Sequence, residues 1–412
     1  MLRQFCINIW KKTSILPNNR DNLSLWAVAW MSFFWSTSSL MAFSVLPIFI
    51  TEVLGASKTK LGLIEGVAVF TAFIAKVFSG VLSDYVQNRK PLIIIGTFFS
   101  ILIKPMFALA SSINMIFAAH FIDRLSKGIR SAPTDALIAD LSPKEYRGAS
   151  FGMRQSLYTF GGMFGALLAS FLMTATDHHY RLIFMLAMIP VTLSLGILML
   201  VVKQPPILEK GKKVDWNWKD IRFLPFRYWA LLGVVALLMM ARFSTGFIVL
   251  RAKDAGWGLA TLPLLHVLMD IVHASMAFPM GKLSDRFNRY HMFLMGLILT
   301  VCAHATMIFV FHPFMMLVGV IFIGLYLGIM QGLSSTLISD ATPAHLRGTA
   351  FALYYLVAGT SVLIGNVGAG WLSDMFGLAG AFWGGAVVTV CAIFALLWMM
   401  WMMPKKTKVP FS

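Results

Sequence analysis

The 412-residue chain is 58% hydrophobic and only 12% charged, with a mean hydropathy of +0.77. A soluble domain carries about 25% charged residues, and a water-facing fold of this size could not hide so much apolar side chain. A soluble enzyme is therefore excluded, and the formal charge of +17 is better explained by basic loops and helix ends than by nucleic-acid binding.

In chain order, residues 1–23 form a polar-to-apolar segment without a cleavable signal peptide, because the first long apolar run is itself a full span. Apolar stretches of about 20 residues, enough to cross a bilayer as a helix, then recur. They predict helices near 24–50, 60–82, 91–110, 113–138, 148–173 and 182–202. A hydrophilic link at 203–225 follows, carrying Lys203, Lys210, Lys212, Lys213, Lys219 and Arg222. Six more helices are expected near 226–249, 258–281, 290–311, 314–338, 348–373 and 379–402, then a tail at 403–412. The expected fold class is an all-α polytopic membrane protein with bundles at 24–202 and 226–402. Cys6, Cys302 and Cys391 lie far apart, with no metal-ligand spacing and no disulfide framework.

Loop charges predict the orientation. Lys11, Lys12 and Arg20 precede the first span; Arg89, Lys90, Lys144, Arg147, Arg286, Arg289, Arg347 and Lys405 fall on the same side. The opposite links are poorer in bases, with Lys58, Lys60, Arg251 and Lys253 as exceptions. Both termini are expected to be cytoplasmic.

An internal repeat runs at an offset of 200 within one residue. IADLSPKEYRG at 138–148 returns as ISDATPAHLRG at 338–348, and GVLSDYVQNRK at 80–90 returns as GKLSDRFNRYH at 281–291. The copies follow equal helix counts on the same side, so the halves are parallel repeats about an axis along the membrane normal. Gly80, Asp84, Arg89 and Lys90 in the 2–3 link, with Arg124 and Gly128 on the fourth helix, resemble the signatures of the major facilitator superfamily. The first signature copy departs from the pattern at Tyr85 and Gln87, and the second at Phe287 and Asn288. The fifth helix has Gly161, Gly162 and Gly165 but lacks the proline of the family's antiporter element. The resemblance implies two six-helix bundles rocking about a central site, in a bacterial inner (plasma) membrane, as a monomer by family default. It also implies a conformational latch, here Gly80, Asp84, Arg89, Asp140, Arg147, Gly281, Asp285, Arg289, Asp340 and Arg347. Such carboxylates accept bonds from arginines and helix starts. The runs Gly152, Gly161, Gly162, Gly165, Ala166 and Gly359, Gly365, Gly368, Gly370 are read as close-packing surfaces.

Ionisable groups at membrane depth are costly and face a cavity or a partner. The fourth helix carries Asp123, Arg124, Lys127, Arg130 and Asp135, with Arg124, Lys127, Ser131 and Asp135 sharing a face. Lys76, Lys104, Arg154 and Arg242 add bases from other spans. Two readings of these bases stand: they snorkel or pair internally with Asp123 and Asp135, or some line an anion site. Bases outnumber acids there, which favours an organic anion as the expected solute, a carboxylate or phosphate compound suited to a guanidinium. Candidate binding residues are Arg124, Lys127, Arg154, Tyr158, Arg242, Gln331 and Tyr354. Candidate proton-coupling groups are Asp270, with His266 and His273 on its face, and Glu65. Trp26, Trp30, Phe33, Phe34 and Trp35 could supply one cavity wall, with most of them expected to face lipid or the core.

Secondary active transport by alternating access, with protons, a small anionic solute and membrane lipid as partners, is the leading expectation. A proton-antiport efflux pump and a non-transporting receptor or scaffold on the same fold are the alternatives. No P-loop is present, so ATP-driven transport would need a separate subunit. No cofactor, metal, catalytic group or nucleic-acid partner is expected, since isolated histidines and HFIDR at 120–124 do not compose a nucleophile, base and orienter.

Overall fold

In hydrocarbon every backbone polar group must be satisfied within the protein, and a helix does so inside one segment. The structure, a computed structural model, describes residues 19–86, 88–142, 147–203, 218–284, 287–310, 312–330, 333–343 and 346–402, which form helices and no strand. Asp285 and Gln331 lie outside the described residues, as do 1–18, 204–217 and 403–412. Gly80, Asp84, Arg147, Gly281 and Arg347 sit in helices, but their side-chain surroundings are outside the described set.

Twelve spans follow the predicted order. The first half holds α1 Asn19–Phe43, α2 Lys58–Val86, α3 Arg89–Leu109, α4 Ile113–Leu141, α5 Arg147–Ala175 and α6 Tyr180–Leu186 with Met188–Leu200. The second holds α7a Phe226–Ala241 with α7b Thr245–Asp254, α8 Leu264–Ser284, α9 Arg289–Ile308, α10 Pro313–Met330 with Leu333–Asp340, α11 Arg347–Phe376 and α12 Leu378–Met402. Past a break at Ser44 and Val45, α1 continues as Leu46–Ile48 and a π turn, Phe49–Val53. Among the described residues eleven spans are long and apolar enough to cross a membrane. The twelfth, α4, fails on composition alone because its middle is charged, and it survives by packing against α2 and α3. Large exposed side chains such as Phe160, Phe171, Trp371, Trp383 and Phe394 cover the outer surface, as lipid contact requires.

Packing within the halves is nearly symmetric: α1 lies on α5 and α2 on α4, as α7a lies on α11 and α8 on α10. The α1–α5 crossing is close because Gly161 and Gly165 sit against the backbone of Phe33 and Thr37, leaving no room for a side chain. The Thr37 hydroxyl donates to the Gly161 carbonyl there at 3.0 Å. Gly365 meets Met240 in the same way. Gly152 and Gly368 face open space, so these two do not belong to the packing surfaces the glycine runs suggested.

The ends of the bundle differ. At the proximal end, where α1 begins and α12 finishes, Arg89 holds Asp140 through two bonds at 2.5 and 3.4 Å, and Arg289 holds Asp340. The pairs are related by the repeat offset, and each ties two helices of one half together. In this structure these two pairs hold helix ends in register within each half.

The halves touch instead from the distal end to the middle. Gly62 and Gly66 of α2 lie against Asn366 and Leu363 of α11, and Gly359 lies against Phe70 and Phe73. Lys253 of α7b pairs with Glu52 at 2.5 Å, and Ser170 of α5 donates to the Ala260 carbonyl at 2.5 Å. Asp374, at the end of α11, accepts from the backbone N–H groups of Lys58 and Thr59 at 3.0 and 2.8 Å and from the Thr59 hydroxyl at 2.6 Å. It thus caps α2 from the other half, satisfying donors that the first turn leaves orphaned. Loss of a helix cap costs about 1 kcal/mol. Asp374→Ala is expected to lower the Tm of the detergent-purified protein by a few degrees and to speed thiol labelling of a cysteine placed at Ser57, while Asp374→Asn falls between; unchanged labelling in Asp374→Ala would show that the cap does not hold the seam.

Candidate functional site

Where α7 breaks, the backbone leaves the membrane's regular pattern for a reason visible in its partners. Arg242 ends α7a, and Ser244 starts α7b, its hydroxyl accepting from Gly246 N–H at 3.1 Å while its own N–H donates to Asn366 Oδ1 at 2.8 Å. The break opens onto a cavity of about 260 Å³ between the halves. Its walls come from α1 (Ser36, Ser39, Phe43), α2 (Glu65), α4 (Arg124, Lys127), α5 (Gln155, Tyr158, Thr159), the start of α7b (Ser244 to Gly246) and α8 (His266, Asp270, His273). Toward the distal end the seam is closed; toward the proximal end Gln155 and Ser156 of α5 and Ala274 and Ser275 of α8 are exposed.

Seven of the candidate residues therefore converge on one space: Arg124, Lys127, Tyr158, Glu65, His266, Asp270 and His273. Arg124 lies with its guanidinium carbon 4.2 Å from the centre of the Phe43 ring, a cation–π contact that leaves its polar edge available. Its Nε donates to His120 Nε2 at 3.1 Å. Lys127 stands beside Tyr158. Neither base has a carboxylate within ion-pair distance among the described residues. His266 Nε2 lies 3.2 Å from the Thr245 hydroxyl, while its Nδ1 is buried and unpartnered. Asp270 faces Gly162 across the α5–α8 seam, and among the described residues it has no hydrogen bond or ion pair.

Behind this wall is a second layer in the first half. Lys104 and Asp123 pair at 3.4 Å with only 2% and 4% of their side chains exposed. Arg130 donates to Ser100 and lies 4.9 Å over the Trp35 ring.

Three candidates lie elsewhere. Arg154 is bonded to Asp135 at 2.6 Å and is not among the residues lining the cavity. Arg242 lines a separate space of about 90 Å³ inside the second half, beside His304 and Tyr326. Tyr354 is buried in the second half's core, its ring 5.2 Å from that of Tyr355. Of the α1 aromatics, Trp26 and Trp30 are exposed on the outside and Trp35 is buried under Arg130, in line with the lipid-facing and core reading, while Phe43 lines the cavity. Sequence reasoning missed Ser36, Ser39, Gln155 and Thr159, whose hydroxyl and amide groups give no signal in an apolar span. It also missed the α7 break, for which Ser244, Thr245 and Gly246 in mid-span were a readable sign.

Two packed six-helix halves around a charged central cavity are the arrangement of a membrane transporter. The family model described as Major Facilitator Superfamily matches residues 28–272 and 231–411, and the chain belongs to that superfamily. An uncharacterized MFS-type transporter of Methanocaldococcus jannaschii is 27% identical over 363 residues, covering 86% of this chain and 90% of that one. The inner membrane transport protein YajR of Escherichia coli is 24% identical, covering 86% and 78%. Among solved structures, an inward-facing, occupied bacterial homologue of the human lysosomal transporter Spinster aligns with a TM-score of 0.74 at 16% identity, covering 96% of this chain and all of that one. The chain is accordingly a multi-pass membrane transporter.

Proposed function

We propose that the protein carries a small organic anion across the plasma membrane, coupled to protons through Asp270. The observation that carries this reading is the pair Arg124 and Lys127, which line the cavity without a carboxylate partner among the described residues. The start of α7b lies in the same wall, and a half-helix N-terminus favours negative charge in such a site. With the termini in the cytoplasm, as the loop charges favour, the proximal opening faces inward and the Asp374 and Glu52 contacts close the outer side. Asp270 and Glu65 line the same cavity and supply carboxylates able to carry a proton between its two openings.

Thermal stability of the purified protein across a library of organic anions, cations and neutral solutes tests this. One class of carboxylate or phosphate compounds is expected to stabilise by about 3 kcal/mol at a hundredfold excess over Kd. Arg124→Gln and Lys127→Gln should each lose most of that shift, whereas Arg154→Gln, outside the cavity, should keep it. Stabilisation by lipophilic cations instead would replace the anion reading with multidrug efflux.

A further inference from the structure

His120 is fully buried on α4, one turn before Arg124, and does not itself line the cavity. Its ring stacks on Phe43 at 5.0 Å and meets Phe107 edge-on at 6.3 Å. The hydrogen bond from Arg124 Nε ends on His120 Nε2. A guanidinium only donates, so Nε2 must be the bare nitrogen and the ring proton sits on Nδ1. That nitrogen has no hydrogen-bond partner, and Glu65 Oε1 of α2 lies 4.0 Å away. The other charged groups facing the ring are Lys104 of α3 and Asp123 of α4, which pair with each other. From α1 the described contact is the Phe43 ring.

We propose that His120 is a proton acceptor switched by Arg124: when a bound anion draws the guanidinium off Nε2, the imidazole takes one proton there from cavity water. The imidazolium then carries N–H on both nitrogens, with Nδ1–H facing the Glu65 carboxylate. While Arg124 stays in place, that proton is blocked, because it would set donor against donor and one cation against another. Arg124 also stands between Nε2 and the cavity, so leaving opens the path. Anion and proton therefore bind cooperatively, and the anion-bound state holds one more proton than the empty one. Its affinity rises as pH falls, by up to about tenfold per pH unit where the exchange is complete. This rests on Arg124 binding the anion, and it adds a second titrating site across the cavity from Asp270.

Nitrogen NMR of the ¹⁵N-histidine-labelled full chain reads the switch directly, with His120→Gln identifying the signal. In the wild type, His120 is expected neutral with its proton on Nδ1; a proton on Nε2 overturns the proposal, and this arm needs no substitution at Arg124. In Arg124→Leu, His120 is expected to hold more proton than in the wild type at the same pH between about pH 8 and pH 5.5; occupancy equal to the wild type's throughout overturns it too. Fumarate, fully ionised over that window, and sulfate are then added to the wild type. Protonation of His120 by either supports the whole scheme. If the first two results hold and neither anion has any effect, the Arg124–His120 switch stands and the anion reading of Arg124 falls.

Discussion

Asp123→Leu is expected to destabilise the purified protein by about 3–5 kcal/mol, the cost of leaving a buried charge uncompensated. Asp123 sits among Lys104, Arg124 and Arg130, and Lys104 touches it at 3.4 Å with both side chains almost fully shielded. Removing the carboxylate leaves three bases facing one another with no acid between them. Removing Lys104 is milder, because Arg124 and Arg130 remain near the carboxylate; Lys104→Met should cost clearly less. The double variant, Asp123→Leu with Lys104→Met, should recover part of the loss by retiring the most buried base along with the acid. Unfolding of the three variants in detergent, followed by loss of helical signal, decides the order. Equal costs for the two single variants would mean that the pair stands alone electrically, and costs below about 1 kcal/mol for both would mean that water reaches it.

How far this architecture was legible follows from what each signal records. Hydropathy records lipid contact, so the helices fell within a few residues of their places, and α4 was placed among the recurring stretches although its charged middle keeps it out of the apolar spans. Charge at membrane depth records a cavity or a partner without distinguishing them. Arg124 and Arg154 looked alike along the chain; α5 meets α4 so that Arg154 reaches Asp135, while Arg124 has no acid at ion-pair distance among the described residues. Periodicity had put Asp135 on the same α4 face as Arg124 and Lys127, and only the neighbouring helix separates their roles. The repeat held one further clue. At its offset of 200, Asp123, Arg124, Lys127 and Arg130 correspond to Ile323, Gly324, Leu327 and Met330. In α2 and α8 the offset is 201, which relates Glu65 to His266 and Asp270 to Val69. The signature residues at the helix ends, charged ones included, are duplicated, and the charged residues lining the cavity are not. The bases belong to the first half, and the second half offers a carboxylate and histidines. A solute bridging the two halves meets different chemistry on each side.

Asp270→Asn is expected to abolish pH-driven accumulation in proteoliposomes, by tenfold or more, while solute exchange without a gradient persists. Asparagine has nearly the same shape and cannot exchange a proton, so the substitution removes titration alone. The fold should tolerate it, because Asp270 faces Gly162 of α5 and has no hydrogen bond or ion pair among the described residues whose loss would strand a partner. Arg242, the preceding helix's nearest candidate partner by sequence, lines a different space beside His304. The position also suits a coupling role mechanically. Asp270 stands on the α5–α8 seam, and in the proposed cycle that seam parts for the distal side to open, so its hydration would change with the state of the carrier. A carboxylate buried in one state and wetted in the other binds protons differently in the two, and this difference is what ties a proton gradient to the direction of cycling. A Tm matching the wild type together with unchanged proton dependence would move coupling to Glu65 and His120 across the cavity.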